Sequence, residues 1–294
     1  MAEDNIELNQ NIPKKADIDF SRLENLVLTE NDETYKIERD RFIKERLSFL
    51  INNSQIKDLT PFSFPYQGFI HPESEVKPTL TVFEGFKIND DSVYSNLLDS
   101  IRAHIRFDTW RNQGIRFINQ YAILRTISEY FGNYLADSQT EAQREYFYMK
   151  YSTIDSDPIS IKDFKKRGIS MCVEKAALAQ NLLSFLGYDS LYCTGKECEL
   201  IPGETGLHAF NIITTENGKF IFDPTNPSIE YDSEGNIINY HPASYLLSDE
   251  QYDILISGGK IEVVHNDYQN NSDSSRLPMP SIRKYGGLNF PKTT

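Results

Sequence analysis

The chain has 294 residues and a net charge of −13, and hydrophobic residues make up 39% of it. Such a chain can bury a substantial core, but its charge disfavours nucleic-acid partners, which need clustered Lys and Arg. No apolar run approaches the roughly 20 residues of a membrane span, and the Met1-Ala2-Glu3-Asp4 start lacks the basic residues of a signal peptide. We therefore expect neither a nucleic-acid nor a membrane partner.

The three cysteines are too few, and odd in number, for a disulfide scaffold. A reducing compartment fits this cysteine usage, so we predict a cytoplasmic location. The sequence does not indicate an oligomeric state.

The first half of the chain is predicted to be mainly helical. Residues 1–33 are polar and acidic, which indicates a flexible arm. A helical region follows over residues 34–155, because apolar residues recur there at helical spacing. The predicted helices cover residues 35–51, 92–107, 115–135 and 140–151. Their expected core residues are Ile37, Phe42, Ile43, Leu47 and Leu50 in the first and Val93, Leu97, Ile101 and Ile105 in the second.

Prolines in residues 58–86 predict loops with short strands between these helices. Residues 156–268 form a second region, which contains both helix and strand patterns. Residues 243–256 are predicted to be helical and residues 260–265 to form a strand. The Ser, Asn and Pro content of residues 269–294 indicates a mobile polar tail.

Cys172 lies where a helix is predicted to begin. A glycine-bearing turn over residues 168–171 runs into an alanine-rich segment with few helix breakers before Gly187. One apolar stripe of this helix is Cys172, Ala176, Ala179, Leu183 and Leu186. The sulfur therefore points inward from the first turn, where free N–H groups and the helix dipole favour the thiolate. The alternative is that Cys172 is a small buried residue of a core stripe.

His208 and Asp223 are predicted to lie on the two arms of one hairpin. Residues 207–214 and 219–222 have strand composition, and a turn signal lies between them. A tight Asn217-Gly218 turn would leave Asp223 four positions out of register with His208. A loop from Thr215 to Gly218 leaves the two residues two positions apart on one face, and we predict this register. The carboxylate can then orient the imidazole while the other ring nitrogen meets the thiol.

Residues 159–227 resemble the core of the transglutaminase-like superfamily. Three ordered blocks carry the resemblance: Gly168 to Cys172 with Ala176, then His208-Ala209-Phe210, then Asp223-Pro224-Thr225. The resemblance implies a papain-like α+β core, here residues 156–268 behind a helical extension. It also implies that Cys172 attacks, that His208 acts as base and then acid, and that Asp223 orients His208.

The motif residues do not match either of two subfamilies of this superfamily. Animal cross-linking transglutaminases place Gly-Gln before the cysteine and Trp after it, whereas this chain has Ser170-Met171 and Val173. The Arg-Gly-Gly-x-Cys-x-Glu motif of arylamine acetyltransferases is only approximated by Arg167-Gly168, Cys172 and Glu174.

Other residues are candidates for secondary roles. Cys193 and Cys198 form a C-x4-C pair that could bind a metal or form a redox-sensitive loop, although zinc usually takes four ligands. Trp110 and Gln113 could contribute to an oxyanion site, as these residue types do in related thiol enzymes. The remaining histidines are expected to be surface or core residues: His71, His104, His241 and His265.

Glycine and proline within residues 193–207 predict a loop that leads into His208. Its turn-forming residues are Gly195, Pro202, Gly203 and Gly206. We expect this loop to form part of the rim of a cleft and to select substrates, with an ordinary surface connection as the alternative.

These patterns predict a thiol-dependent acyl-transfer enzyme that uses no cofactor and no metal. A peptide or protein amide is the expected substrate, and a covalent thioester the intermediate. Hydrolysis by a cysteine peptidase or amidase is the first expectation. Transfer to an amine, as in a transglutaminase, is the second, and a non-catalytic peptide-binding module is the third.

Overall fold

A computed structural model describes residues 20–53, 63–65, 79–81, 93–112, 120–134, 159–160, 172–267 and 279–288. Within these ranges helices pack on one face of an antiparallel sheet, so the predicted α+β class is confirmed. None of the helices in these ranges combines the length and the apolarity needed to cross a membrane.

The helical part precedes the sheet in the chain. Its helices are α1 (Phe20–Leu28), α2 (Asp32–Asn53), α3 (Val93–Asn112) and α4 (Gln120–Tyr134). The stripe predicted for α3 is buried, whereas Ile37 of α2 is 62% exposed and not part of the core. The predicted flexible arm is wrong in its last part, because α1 buries Leu23 and Val27 in the helical core. The helix predicted over residues 140–151 lies outside the described residues.

Short strands occur where they were predicted between the helices. They are β1 (Ser63–Pro65) and β2 (Thr79–Thr81), which pair with each other. A third short strand that was not predicted, β3 (Ile159–Ser160), pairs with β2.

The larger sheet is built from residues 189–286. Its elements, with the helices beside them, are α5 (Cys172–Leu186), β4 (Asp189–Ile201), β5 (Glu204–Thr215), β6 (Gly218–Tyr231), β7 (Ile237–Leu247), α6 (Asp249–Ile256), β8 (Lys260–Asp267) and β9 (Met279–Gly286). The strand order is β7-β6-β5-β4-β9-β8, and every pairing is antiparallel. Sequential strands are neighbours except β7 and β8, which form the two edges of the sheet, and β9 lies between β4 and β8.

Each face of this sheet covers its own core. Helices α1 to α5 pack on the face that carries Ala209, Ile213 and Phe222. The opposite face carries Phe210 and Tyr285, and α6 contributes Leu255 there. Side chains alternate between faces along a strand, so His208 and Asp223 project toward the second core together with Phe210 and Ile221.

Three segments differ from their predictions. Residues 243–247 belong to β7, and only Asp249–Ile256 is helical, with Ser248 and Gln251 as its capping box. The predicted tail contains β9, which pairs along its whole length with β8. Residues 193–207 are not a loop but most of the β4–β5 hairpin, turned at Pro202-Gly203. Gly195 lies within β4. A glycine is needed at this position because a Cβ would be 2.5 Å from the Gly286 carbonyl oxygen of β9.

Candidate active site

Helix α5 places Cys172 at its first residue, as predicted. Gly187 has a φ of +89°, and the Tyr188 N–H donates to the Leu183 carbonyl over 2.9 Å. This glycine-capped ending fixes where the helix stops. The stripe from Cys172 to Leu186 is buried, with Cys172 itself 5% exposed. The first N–H groups of a helix have no hydrogen-bond partner within the helix, and Cys172 stands at this end of α5.

The β5–β6 hairpin has the register predicted from the sequence. Thr215 pairs with Gly218, and Asn211 pairs with Phe222. This register places Asp223 two positions from His208 on one face. Asp223 also marks a change in the pairing of β6 with β7. Regular pairing ends at Asp223 and resumes at Ser228, and the segment between them is irregular.

His208 is held between a carboxylate and a thiol. Its Nε2 lies 2.8 Å from Asp223 Oδ2, and the Cys172 side chain is a second hydrogen-bond partner of the ring. Since Nε2 meets Asp223, Nδ1 is the ring nitrogen left for the thiol. Burial disfavours the charged ring, but the charge and hydrogen bond of Asp223, with the Cys172 contact, raise the pKa of His208 to about 10. The imidazolium form is therefore favoured at neutral pH.

Asp223 is fully buried and amply hydrogen-bonded. Besides His208, its Oδ2 accepts from Asn226 Nδ2 at 3.0 Å and Tyr285 Oη at 2.9 Å, and its Oδ1 accepts from the Thr225 N–H at 3.0 Å. Burial opposes ionisation, yet the charge of His208 and these donors hold the pKa of Asp223 well below its usual value. The site thus contains a buried ion pair whose acceptor oxygens are satisfied.

Polar contacts fix α5 relative to β5. Asn211, three residues after His208, is fully buried and donates through Nδ2 to the Ala176 carbonyl at 3.1 Å and to Gln180 Oε1 at 3.2 Å. At the far end, Arg46 of α2 donates to the Phe185 carbonyl through Nε at 2.8 Å. The Asn211 contacts join the strand that carries the imidazole to the helix that carries the thiol, and the Arg46 contact joins that helix to α2.

Tyr285 and Asn226 were not predicted as site residues. Asn226 lies three residues after Asp223 in the Asp-Pro-Thr-Asn-Pro segment, and side chains at such a turn commonly bond back to a nearby carboxylate. Tyr285 carries no comparable signal, because its contact with Asp223 spans 62 positions of sequence.

Cys193 and Cys198 lie in β4 rather than on a loop, and both are free thiols buried in the second core. Burial, the main cause, raises the pKa of Cys198 to about 11 and raises that of Cys193 still further. Thiols in such an environment stay protonated, whereas metal binding and disulfide exchange both use the thiolate. Within the described residues no three His, Cys, Asp or Glu side chains are arranged to hold a metal ion.

The other candidates do not contact Cys172, His208 or Asp223 in the part of the chain that is described, or they lie outside it. Trp110 belongs to α3, but its side chain is not described, and Gln113 and His71 lie outside the described ranges. His104 Nε2 lies 2.7 Å from Glu129 Oε2. His241 Nε2 lies 3.1 Å from Glu230 Oε2. His265 is buried, with its Nδ1 2.8 Å from Tyr245 Oη.

No family model matches the chain, and no curated protein matches it. Among solved structures, one described as "Crystal structure of a TGase" matches at 18% sequence identity and a TM-score of 0.30. The match covers 49% of this chain and 35% of that structure, so the chain spans about a third of its length. Because similarity at this level carries no argument, functional inference rests on the geometry around His208.

Proposed function

We propose that the protein is a thiol-dependent acyl-transfer enzyme. In this proposal Cys172 is the nucleophile, His208 the general acid and base, and Asp223 the residue that orients His208. The carrying observation is that a buried imidazole bonds Asp223 at 2.8 Å through Nε2 and has the thiol of Cys172 as its other partner. Nucleophile, base and orienting group within mutual hydrogen-bond reach are the requirement of covalent acyl transfer.

The first half of the reaction forms a thioester. The Cys172 thiolate attacks an amide carbonyl, so a carbon–sulfur bond forms and negative charge develops on the carbonyl oxygen. The Cys172 N–H, at the first residue of α5, is the candidate donor for this oxygen. As the intermediate collapses, the carbon–nitrogen bond breaks and the His208 imidazolium gives its proton to the leaving amine.

The second half releases the acyl group. Neutral His208 takes a proton from water or from an amine, which attacks the thioester carbon and expels the Cys172 thiolate. Hydrolysis is our first assignment, because water needs no binding surface for a second substrate. The protein would then be a cysteine peptidase or amidase acting on a peptide or protein amide.

The fold assignment within α+β is part of the same proposal. A helix that begins at a cysteine, followed by antiparallel strands that carry histidine and aspartate, is the order expected of a papain-like transglutaminase core. A cytoplasmic location is also proposed, because a reducing compartment suits the proposed thiolate and the low cysteine content.

The test uses casein as a protein amide substrate and a fluorescent cadaverine as an amine acceptor. Mass spectrometry measures new peptide termini, conversion of Gln to Glu, and attachment of the fluorescent amine. We expect one of these products together with an acyl adduct on Cys172 after acid quenching. Peptide cleavage or Gln conversion supports hydrolysis, and amine attachment supports transfer.

Matched cysteine variants control the experiment. Cys172→Ala should remove all products and the adduct, whereas Cys193→Ala removes a thiol of similar burial without contact to His208 and should keep turnover. Product formed by Cys172→Ala at the wild-type rate would refute the proposal. A folded wild-type protein whose Cys172 resists iodoacetamide as well as both substrates would favour the peptide-binding module.

A further inference from the structure

Strand β9 carries Tyr285, whose buried hydroxyl contacts the Asp223 carboxylate of the proposed triad. Tyr285 Oη donates to Asp223 Oδ2 over 2.9 Å, and the Tyr285 side chain is fully buried. Its ring packs edge-on against Phe210, with centroids 4.9 Å apart, and lies 6.2 Å from the His208 ring. The hydroxyl is therefore held by packing on the face of the sheet that carries the site.

The same oxygen of Asp223 serves three partners. Oδ2 accepts from His208 Nε2, Asn226 Nδ2 and Tyr285 Oη, all within 3.0 Å. A carboxylate without solvent contact keeps its charge only through such donors and a neighbouring cation. The charge on Asp223 in turn stabilises the His208 imidazolium. Loss of a donor to Oδ2 therefore changes the pKa of His208.

Strand β9 also supports the second donor. Arg283 Nη1 donates to the Asn226 backbone carbonyl over 3.2 Å, within the irregular segment that follows Asp223. Burial, reinforced by Asp223, raises the pKa of Tyr285 well above 10, so its phenol stays a donor across the working pH range.

We propose that Tyr285 is a positioning residue for the reaction, which fixes the orientation and the charge of Asp223 and thereby makes β9 part of the catalytic apparatus. This inference rests on the proposed function, since it assigns Tyr285 a role that is exerted through Asp223 and His208. Tyr285 itself touches no reacting atom.

The test compares two Tyr→Phe variants that each lose one buried hydroxyl bonded to a carboxylate. Tyr285→Phe loses the bond to Asp223. Tyr35→Phe loses a 2.8 Å bond to Asp99 in the helical part, where Tyr35 is 2% exposed. Asn226→Ala removes another donor to Asp223 Oδ2 without changing a core ring. The readouts are kcat for Cys172-dependent turnover and the titration midpoint of His208, followed by NMR with ¹³C-labelled histidine.

We expect the His208 midpoint, which Asp223 holds above its ordinary value in the wild type, to rise further by about one pH unit in Tyr285→Phe, because Asp223 stays ionised and loses a donor that screens its charge, and kcat to fall roughly tenfold to hundredfold. Asn226→Ala should shift both in the same direction. Tyr35→Phe should lower the unfolding temperature but leave the midpoint and kcat unchanged.

Two failures are distinguishable. If turnover depends on Cys172 and Tyr285→Phe titrates and turns over like the wild type, the positioning role is overturned and the proposed function stands. A shifted His208 midpoint with unchanged kcat also overturns it, because Tyr285 is then only structural. If turnover survives in Cys172→Ala, the proposed function has failed and the inference fails with it.

Discussion

The two faces of the main sheet bury different chemistry. On the helix side, α5 presses Ala176, Leu183 and neighbouring apolar residues against β5 and β6. On the other side, the buried residues include His208, Asp223 and Tyr285, and Asp223 bonds to both of the others. The first face gains free energy mainly by excluding water, whereas the second has to satisfy every polar atom that it buries.

Cys172 joins the two faces. It belongs to the apolar cluster of the helix side, yet its side chain bonds His208, which projects toward the other core. We infer that the two faces have different roles. The apolar face holds Cys172, the proposed nucleophile, in place, and the polar face sets the charge of His208. Substitutions on the two faces should therefore have separable effects on stability and turnover.

The largest effect is expected at the junction of the two faces. Cys172→Ala should abolish turnover, a loss on the order of a millionfold where a nucleophile acts with its base as a unit. The unfolding temperature should change little, because only one sulfur atom is removed. Steady-state kinetics and thermal unfolding measure the two quantities. A variant that unfolds at a much lower temperature but keeps partial activity would instead make Cys172 a packing residue.

Asp223→Asn tests the polar face. The imidazole loses its orienting charge but remains a base, so a weak activity should survive, roughly a thousandfold below the wild type. The measurement is kcat on the substrate identified with casein. The control is Asp99→Asn, which should keep full activity. Asp99 lies in the helical part, and its side chain is 46% exposed. Equal rates for the two variants would remove Asp223 from the reaction.

Leu183→Ala tests the apolar face. The side chain is fully buried on the stripe that begins at Cys172, so its truncation should cost about 2–5 kcal/mol in the free energy of unfolding. Denaturant titration measures this loss. The kcat of the remaining folded protein should stay near the wild-type value, and a parallel fall in kcat would contradict the separation of roles.

Asn211 is the polar exception on the helix side, and a smaller effect is expected there. Asn211→Ala removes the contacts to Ala176 and Gln180 and should cost about 1–3 kcal/mol of stability. It should also lower kcat a few-fold, because α5 loses its tie to β5. Ile213→Ala, fully buried on the same face of β5, should lose stability without the loss in kcat.

The smallest expected effect is a pH dependence of stability. His208 has a pKa raised from 6.5 to about 10, so its contribution is complete below 6.5 and is lost as the pH rises through about 10. Asp223 has a lowered pKa, so its contribution is present above 3.8 and is lost only in stronger acid. The stability difference between the wild type and Asp223→Asn should therefore be largest from pH 4 to 6.5 and shrink toward pH 10.

Urea titrations at a series of pH values measure this difference. In a His208→Gln background, Asp223→Asn should show no decline between pH 6.5 and 10. A decline of the same size in that background would assign it to another titrating group.

Local patterns were enough to predict the parts of the site that lie close together in sequence. The alanine-rich run ending at Gly187 predicts α5, and counting residues around Thr215 and Gly218 predicts the register of His208 and Asp223. Both features depend on interactions within one helix or one hairpin. The catalytic roles of these residues remain a prediction.

Features that depend on distant segments were not predictable in this way. Gly195 indicates a loop when only its neighbours are considered, but it lies in β4, and a glycine is needed there because β9 passes too close for a Cβ. The polar residues that precede β9 led to the prediction of a tail. Strand β9 pairs with β8, the strand before it, and with β4, where Glu199 lies 85 positions from its partner Lys284. Leu23, Leu26 and Val27 of α1, in contrast, have helical spacing that a closer inspection of the acidic arm could have found.

The position of β9 has a consequence for biosynthesis. Translation produces Cys172, His208 and Asp223 well before Tyr285, which follows Asp223 by 62 residues. Until β9 is made and docks between β4 and β8, Asp223 lacks one of its donors. A ribosome-bound chain, or one cleaved before residue 279, would carry all three proposed catalytic residues in an incompletely assembled site, so reactivity would increase when synthesis of β9 is complete.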